Sequence, residues 1–176
     1  MNNLQKLSNK YKTQTPNQRR DAVGEMVSNE AGVAEQHVLN QMRKKGWDAI
    51  KNPDATGTDI LLRRNGAVIP VEVKFRSGDK PDCGGSENFF FEKATHYTTS
   101  YHKTSKTWQE KAPMYITVFE DGTMWCKRYA SIRQGVAEDS IPYHMCLTKH
   151  DTYGMLVNYK ELLNHGMLTI VSSSLI

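Results

Sequence analysis

Two acidic residues and one lysine are spaced so that a β-hairpin would bring them together. Asp59 precedes a short apolar run, and Glu72 and Lys74 lie within a second apolar run. The runs are joined by Asn65-Gly66, which predicts a two-residue turn because a type I′ turn needs positive φ at both central positions. Two carboxylates with an amine beside them can bind a divalent cation and activate a water, a chemistry suited to hydrolysing phosphodiester bonds.

Strand alternation predicts the face on which each of these groups lies. An apolar row occupies one face of the second strand and consists of Ile69, Val71, Val73 and Phe75. Glu72 and Lys74 share the opposite face, where Lys74 can orient or deprotonate a water, or stabilise developing negative charge. With a two-residue turn, Asp59 lies opposite Glu72 at a non-hydrogen-bonded position, where Cβ atoms are about 4.5–5.5 Å apart. Carboxylates so close repel each other, which a bound cation would offset.

A third acidic residue, Glu35, lies on a predicted helix that precedes the hairpin. The helix is expected from about residue 23 to residue 45, before Gly46, because apolar residues recur at helical spacing at Val27, Ala31, Ala34, Val38 and Met42. Glu35 borders this apolar face, where an ionised side chain is costly unless it is paired or bound to a metal. Glu25 and Glu30 compete for the same role, and we assign both to the exposed helix surface.

The sequence also predicts the other strands, helices and loops of the chain. Strands are expected at 47–50, 59–64, 67–75, 114–119, 123–129 and 168–171. Helices are expected at about 159–164 and across Phe90, Ala94, Tyr97 and Tyr101. A long loop is expected at 76–88. The stretch between the strands at 67–75 and 114–119 is long enough for a parallel crossover.

Length and composition are typical of one globular domain. The chain has 176 residues, of which 38% are hydrophobic and 24% charged. We divide it into a basic polar arm at 1–22 and a single domain at 23–176, with the motifs at 31–76. No apolar run approaches the roughly 20 residues that span a bilayer, and the N-terminus has no signal-peptide core. We therefore expect a cytoplasmic protein that does not associate with membranes.

Positive charge is distributed in a way that favours a nucleic-acid partner. The net charge is +4, and the first twenty residues carry five basic side chains and no acidic one. A solvated surface would explain each basic cluster alone, but several clusters near one acidic constellation favour phosphate binding. The residues expected to contact nucleic acid are Lys10, Lys12, Arg19, Arg20 and Arg76.

Other motifs are weaker. Three cysteines without a Cys-x-x-Cys pair indicate neither a disulfide framework nor a structural zinc site. The six histidines lack the spacing of metal ligands. His96 and His102, with neighbouring lysines and tyrosines, would suit a nucleic-acid groove, but a half-buried amphipathic helix explains the same residues. No Walker-type phosphate loop is present, which argues against an intrinsic ATPase.

Together these motifs resemble the PD-(D/E)-x-K nuclease superfamily, and within it the archaeal-type Holliday junction resolvases and small restriction-endonuclease-like proteins. The similarity runs through Ala31-Gly32-Val33-Ala34-Glu35, Lys45-Gly46-Trp47, Gly57-Thr58-Asp59 and Val71-Glu72-Val73-Lys74. A Pro-Asp pair also occurs at Pro53-Asp54. Because the hairpin makes Asp59 the residue that meets Glu72, we place the metal-binding aspartate of the superfamily at Asp59.

The resemblance implies an α/β protein with a restriction-endonuclease-like core, in which helices flank a mixed central sheet in the order αβββαβ. It also implies a prokaryotic or phage setting, Mg²⁺ or Mn²⁺ as cofactor, and hydrolysis of DNA that leaves a 5′-phosphate. By similarity, Asp59 and Glu72 would bind the ion together with the Val73 carbonyl. Glu35 would assist the metal site, and Lys74 would serve the water.

Several functions remain open from the sequence. The first is a metal-dependent DNA endonuclease, for which cutting of both strands would favour a homodimer. Alternatives with the same chemistry are an exonuclease, a nuclease specific for junctions or branched DNA, and an RNase. The alternative from another class is a non-catalytic nucleic-acid-binding module on the same fold. The intact set of Asp59, Glu72 and Lys74 counts against that last alternative.

Overall fold

A computed structural model of the chain describes residues 23–54, 58–97, 101–104, 113–147 and 152–171. The side chains of the first helix are described from Gly32 onward. The predicted basic arm at 1–22 therefore lies outside the described residues, and so do the binding residues expected in it, which are Lys10, Lys12, Arg19 and Arg20.

The described residues contain ten strands and three α-helices. The strands are β1 (Asp48–Lys51), β2 (Ile60–Arg64), β3 (Ala67–Arg76), β4 (Asn88–Tyr97), β5 (Tyr101–Thr104), β6 (Met114–Phe119), β7 (Met124–Lys127), β8 (His144–Leu147), β9 (Thr152–Asn158) and β10 (Leu168–Val171). The helices are α1 (Val23–Lys44), α2 (Tyr129–Ala137) and α3 (Tyr159–Asn164). A short 3₁₀ helix covers Pro81–Cys83 within the predicted long loop.

The main sheet has six strands in the order β1-β2-β3-β6-β7-β10. Only the β3–β6 pair is parallel among its strands as described, so the sheet is mixed, as the sequence predicted. The helix α1 packs on one face of this sheet and ends within one residue of its predicted boundary. Gly46 follows with a φ of 80°, a conformation that suits glycine after the last turn of a helix.

The hairpin of β2 and β3 has the predicted register. Ile60 pairs with Val71, and the turn residues Asn65 and Gly66 have φ angles of 51° and 78°. Both angles are positive, as a type I′ turn requires. The described ladder ends at Ile60, whereas β3 continues to Arg76. The last part of β3 therefore has an edge that β2 does not cover.

A second sheet has four strands in the order β5-β4-β9-β8, of which β4 and β5 lie between β3 and β6 along the chain and β8 and β9 follow β7. The helix predicted across Phe90, Ala94, Tyr97 and Tyr101 is wrong, because these residues lie in β4 and β5. Phe89 and Phe91 alternate with Phe90 and are 5% and 0% exposed, and the backbone of β4 pairs with β9. Aromatic residues favour such a pleated surface, and this pairing overrides the local helical spacing.

The two faces of the main sheet are covered by different elements. Between α1 and the sheet lies an apolar core that includes Ile116 and Val118 of β6. On the other face, Tyr115 and Phe119 of the same strand pack with residues of the second sheet, α2 and α3. Glu72, paired with Tyr115 across the parallel ladder, belongs to this second face.

The predicted α/β fold with a mixed central sheet flanked by helices is confirmed. The elements at β6, α3 and β10 have their predicted bounds, β2 and β3 differ from the prediction by one residue at one end, and β1 is shifted by one residue. The sequence did not predict α2, β8 or β9. Within the described part of the chain, no helix is both long enough and apolar enough to cross a bilayer.

Candidate functional site

Asp59 lies immediately before β2, at the uncovered edge of β3. The Val73 N–H donates a hydrogen bond of 2.7 Å to Asp59 Oδ2. The Asp59 carbonyl accepts a 2.9 Å hydrogen bond from the Asn52 N–H, which anchors the backbone after β1. The Asp59 carboxylate thus takes the place beside β3 that a further β2 residue would otherwise occupy.

The ladder pair predicted between Asp59 and Glu72 is not part of the described register, which ends at Ile60 and Val71. The charge of Glu72 nevertheless affects Asp59. Burial, followed by the negative charge of Glu72, raises the pKa of Asp59 to about 6. The hydrogen bond from the Val73 N–H and the positive charge of Lys74 lower the pKa of Asp59, but by less than burial and Glu72 raise it. At neutral pH the ionised Asp59 is therefore destabilised, and a bound cation would offset that cost.

Lys74 and Glu72 form an ion pair on the face of β3 that is directed toward the second sheet. Lys74 Nζ donates to Glu72 Oε1 at 2.8 Å, and their side chains are 55% and 13% exposed. Burial lowers the pKa of Lys74, but the neighbouring Tyr115 and Glu72 more than reverse this, so its pKa lies above the ordinary value. Lys74 therefore keeps its proton at neutral pH, which favours charge stabilisation or orientation of a water over deprotonation of that water.

Glu35 is buried on α1 and is 8% exposed. Lys51 Nζ lies 3.0 Å from Glu35 Oε2, yet this oxygen has no hydrogen bond of acceptable geometry from the described residues. We therefore treat the contact as an ion pair without a directed hydrogen bond. The charge of Glu35 also raises the pKa of Asp59, which places Glu35 on the helix side of the same site. A buried carboxylate oxygen of this kind would be satisfied by a cation.

The superfamily resemblance implies Mg²⁺ or Mn²⁺, and such an ion would meet the Asp59 carboxylate and the backbone of Val73 at this edge. The N–H and C=O of a strand residue point to the same side, so the Val73 carbonyl is directed to the edge where Asp59 lies. Within the described ranges, no three His, Cys, Asp or Glu side chains are grouped as a metal cluster.

Arg76, the described member of the predicted nucleic-acid-binding set, lies near the end of β3 on the same face as Glu72. Arg76 Nη2 donates to the Ser86 carbonyl at 2.9 Å, and the guanidinium lies 5.6 Å from the Phe89 ring centre. Burial lowers the pKa of Arg76. Arg76 and Lys74 line a cavity of about 340 Å³ whose other walls include residues of β4, β6 and β7.

The cavity contains a buried lysine that the sequence analysis missed. Lys127 is 1% exposed and shares the second face of the sheet with Trp125. Its signal in the sequence was a charged residue within the otherwise apolar strand Met124-Trp125-Cys126-Lys127, since a charge in an interior strand is costly without a compensating role.

The other sequence candidates lie apart from this arrangement or outside the described side chains. Asp54 is exposed, and its N–H donates to Asn52 Oδ1 at 3.1 Å. His37 Nε2 lies 2.9 Å from the Gly122 carbonyl, a packing contact. Glu25 and Glu30 lie on the part of α1 whose side chains are not described.

No protein-family model and no curated protein sequence matches this chain. Solved structures similar to it include that of a bacterial homing endonuclease, I-Ssp6803I. The two chains are 14% identical, the match covers 59% of this chain and 70% of that chain, and the TM-score is 0.44. A similarity at this level is not evidence of a shared function.

Proposed function

We propose that this chain is a metal-dependent DNA endonuclease of the PD-(D/E)-x-K type, which hydrolyses phosphodiester bonds and leaves a 5′-phosphate. The observation that carries the proposal is the half-buried Asp59 carboxylate, which accepts a hydrogen bond from the Val73 N–H at the uncovered edge of β3 and is affected by the charge of Glu72. Burial and the charge of Glu72 raise the pKa of Asp59 to about 6, while Lys74 stays protonated beside them. Perturbed carboxylates with an adjacent cation are typical of catalytic sites.

In this proposal each residue has a separate task. Asp59, Glu72 and the Val73 carbonyl hold Mg²⁺ or Mn²⁺ at the edge of β3. When bound, the ion supplies positive charge that polarises a phosphoryl oxygen and lowers the pKa of a water. The Lys74 ammonium stabilises negative charge that develops on the phosphoryl group or orients the water. Glu35 would assist the metal site by adding negative charge from the helix side.

The proposed activity is tested with purified protein and supercoiled circular DNA. With Mg²⁺ or Mn²⁺ we expect nicked and linear products, and with EDTA we expect none. Ligation of the products without prior phosphorylation would report a 5′-phosphate. Binding of DNA without any cutting in either metal would contradict the proposal and support the non-catalytic module instead.

Parallel substrates separate the modes of cutting. An exonuclease needs an end, so it would degrade linear DNA and leave closed circles intact. A junction-specific nuclease would cut branched DNA faster than a linear duplex of the same sequence. An RNase would cut RNA and leave DNA intact. Mapping of the product ends from each substrate assigns one of these modes.

Replacing Lys74 with methionine is expected to lower the rate of DNA cutting by about 10²–10³, because one cation directed at the reacting phosphate is lost. Lys74→Arg keeps the charge and should retain more activity than Lys74→Met. Single-turnover cutting rates measure both variants, with Lys160→Met as the control for loss of one positive charge on an exposed side chain. Equal losses in the Met and Arg variants would indicate that Lys74 transfers a proton.

Deleting residues 1–20 is expected to weaken DNA binding and reduce its dependence on salt. If Lys10, Lys12, Arg19 and Arg20 each neutralise one phosphate, the slope of log affinity against log salt should fall by about 3–4. Binding is measured at several salt concentrations in the Asp59→Asn background without metal, so that cutting does not interfere. An unchanged slope would show that the arm does not contact phosphates.

A further inference from the structure

The cavity between the two sheets has an unusual combination of charge and burial. Its walls contain three basic side chains, Lys74, Arg76 and Lys127, and no acidic one. The remaining lining is polar or aromatic, as at Tyr115, Thr117 and Phe89, apart from the aliphatic Leu156. A volume of about 340 Å³ lies within the range of ligand-binding pockets, about 300–1,000 Å³. The cavity is therefore large enough, and positive enough, for a small anion.

Lys127 is the buried cation of this cavity. Its ammonium donates to Thr117 Oγ1 and, at 3.3 Å, to the Trp125 carbonyl, and it lies 4.1 Å from the Phe89 ring centre. No carboxylate pairs with it among the described residues. An isolated ammonium that is 1% exposed is costly, and an anion in the cavity would supply the missing charge.

The pKa of Lys127 also indicates that little negative charge surrounds its amine. Burial, assisted by the charge of Arg76, lowers the pKa of Lys127 to about 7, against an opposing effect of Cys126. A phosphoryl group beside it would accept charge-assisted hydrogen bonds and favour the protonated amine. Replacing Lys127 with an uncharged residue is therefore expected to weaken binding of a phosphoryl group in the cavity, and it would break no ion pair among the described residues.

The cavity is continuous with the candidate nuclease site. Across the sheet, Glu72 pairs with Tyr115, and Tyr115 pairs with Lys127. Neighbouring strands are about 4.8 Å apart, so Glu72 and Lys127 are separated by about 10 Å of sheet. Lys74 belongs to both places, because it contacts Glu72 and lines the cavity. A single DNA strand can therefore reach both places.

We propose that this cavity is a phosphate-binding subsite, in which Lys127 and Arg76 hold a phosphoryl group of the strand that is cut at Asp59 and Glu72. This inference rests on the proposed nuclease function, which it extends from the scissile phosphate to a second one. The phosphoryl group is either an internal phosphodiester or a terminal phosphate, and both present the same oxygens to the two cations.

The first test uses metal-free protein without DNA and is therefore independent of cutting. Inorganic phosphate is added at constant ionic strength, with chloride as the replaced anion, and thermal unfolding is followed. The intact protein and the charge control Lys160→Met should both gain about 3–6 °C in Tm at a phosphate concentration tenfold above Kd. Lys127→Met should fold, because it fills similar space without a buried charge, and should lose the phosphate-specific gain.

Absence of a phosphate-specific gain in the intact protein, or an undiminished gain in Lys127→Met, would overturn the subsite. If Lys127→Met does not fold, Arg76→Gln replaces it in the same comparison, since Arg76 lines the same cavity. A phosphate-specific gain in an intact protein that cuts no DNA would leave the subsite standing and remove the nuclease proposal.

The second test identifies the source of the phosphoryl group. KM is measured on oligonucleotide duplexes with a 5′-phosphate or a 5′-hydroxyl. Lys127→Met should raise KM at least about tenfold through loss of a charge-assisted hydrogen bond, with a smaller change in kcat. A rise on both substrates identifies an internal phosphodiester, and a rise on the phosphorylated one alone identifies a terminal phosphate. An unchanged KM on both would overturn the proposal.

Discussion

Asp59→Asn is expected to lower the rate of DNA cutting by about a thousandfold or more. Asparagine keeps an oxygen that can accept the hydrogen bond from the Val73 N–H, so the backbone around the site stays in place. It loses the negative charge that would hold a cation, and a catalytic metal contributes several kcal/mol to stabilising the transition state. About 4 kcal/mol corresponds to a factor of about a thousand in rate.

The matched control for this substitution is Asp54→Asn. Asp54 is exposed, belongs to the Pro53-Asp54 pair shortly before Asp59, and undergoes the same chemical change. We expect Asp54→Asn to cut at nearly the wild-type rate and Glu72→Gln to be as inactive as Asp59→Asn. Single-turnover rates at saturating Mg²⁺, with circular dichroism as a check of folding, measure all three variants. Full activity in Asp59→Asn would remove Asp59 from the site, and loss of activity in Asp54→Asn instead would move the site to that residue.

The same substitution is expected to stabilise the metal-free protein at neutral pH. The pKa of Asp59 is about 6 in the folded chain against an ordinary value of 3.8. The folded state therefore binds this proton more tightly than the unfolded state, and above pH 6 the ionised carboxylate reduces stability. The difference in pKa corresponds to about 3 kcal/mol in the free energy of unfolding. Because Asp59 is partly exposed, solvent screening lowers the expected effect to about 1–2 kcal/mol.

The stabilisation of the metal-free protein by Asp59→Asn is expected to depend on pH. Above pH 6, Asp59→Asn should unfold about 2–8 °C higher than the wild type, and the difference should disappear as the pH falls below about 4, where Asp59 is protonated in both states. Thermal unfolding in EDTA from pH 4 to pH 8 measures it, with Asp54→Asn as the control that should show no such trend. A lower Tm for Asp59→Asn at pH 8 would show that the ionised carboxylate stabilises the fold.

Divalent cations should make the wild type more stable than Asp59→Asn at neutral pH. An ion that binds only the folded state raises its stability by mass action. Mg²⁺ should therefore raise the Tm of the wild type at pH 8 and leave that of Asp59→Asn nearly unchanged. This measurement needs no DNA, so it tests the metal site separately from the activity.

Local signals in the sequence were sufficient for the hairpin that carries the site. The turn at Asn65-Gly66 and the apolar alternation around Glu72 and Lys74 both act over a few residues, and both predicted the observed register. The helix α1 and its end before Gly46 were predicted for the same reason. From these local features the sequence placed Glu72 and Lys74 on one face of β3.

Contacts between distant segments could not be predicted in this way. The spacing of Phe90, Ala94, Tyr97 and Tyr101 is typical of a helix, but the segment forms β4 because β9, far along the chain, provides hydrogen-bonding partners for its backbone. Strand pairing over such distances leaves no periodic pattern in either segment alone. The helix predicted from this spacing was wrong for this reason.

By itself, the sequence determined the hairpin and its register, because turn chemistry and strand alternation depend only on neighbouring residues. The tertiary structure alone decided that Asp59 leaves the ladder to bond the Val73 N–H, since this requires β2 to end where β3 continues. It also decided that Lys127 meets Arg76 in one cavity, because the second sheet closes over strands that are far apart in the chain. Burial and electrostatic coupling arise from such packing, so the properties of the site depend on contacts that no local pattern contains.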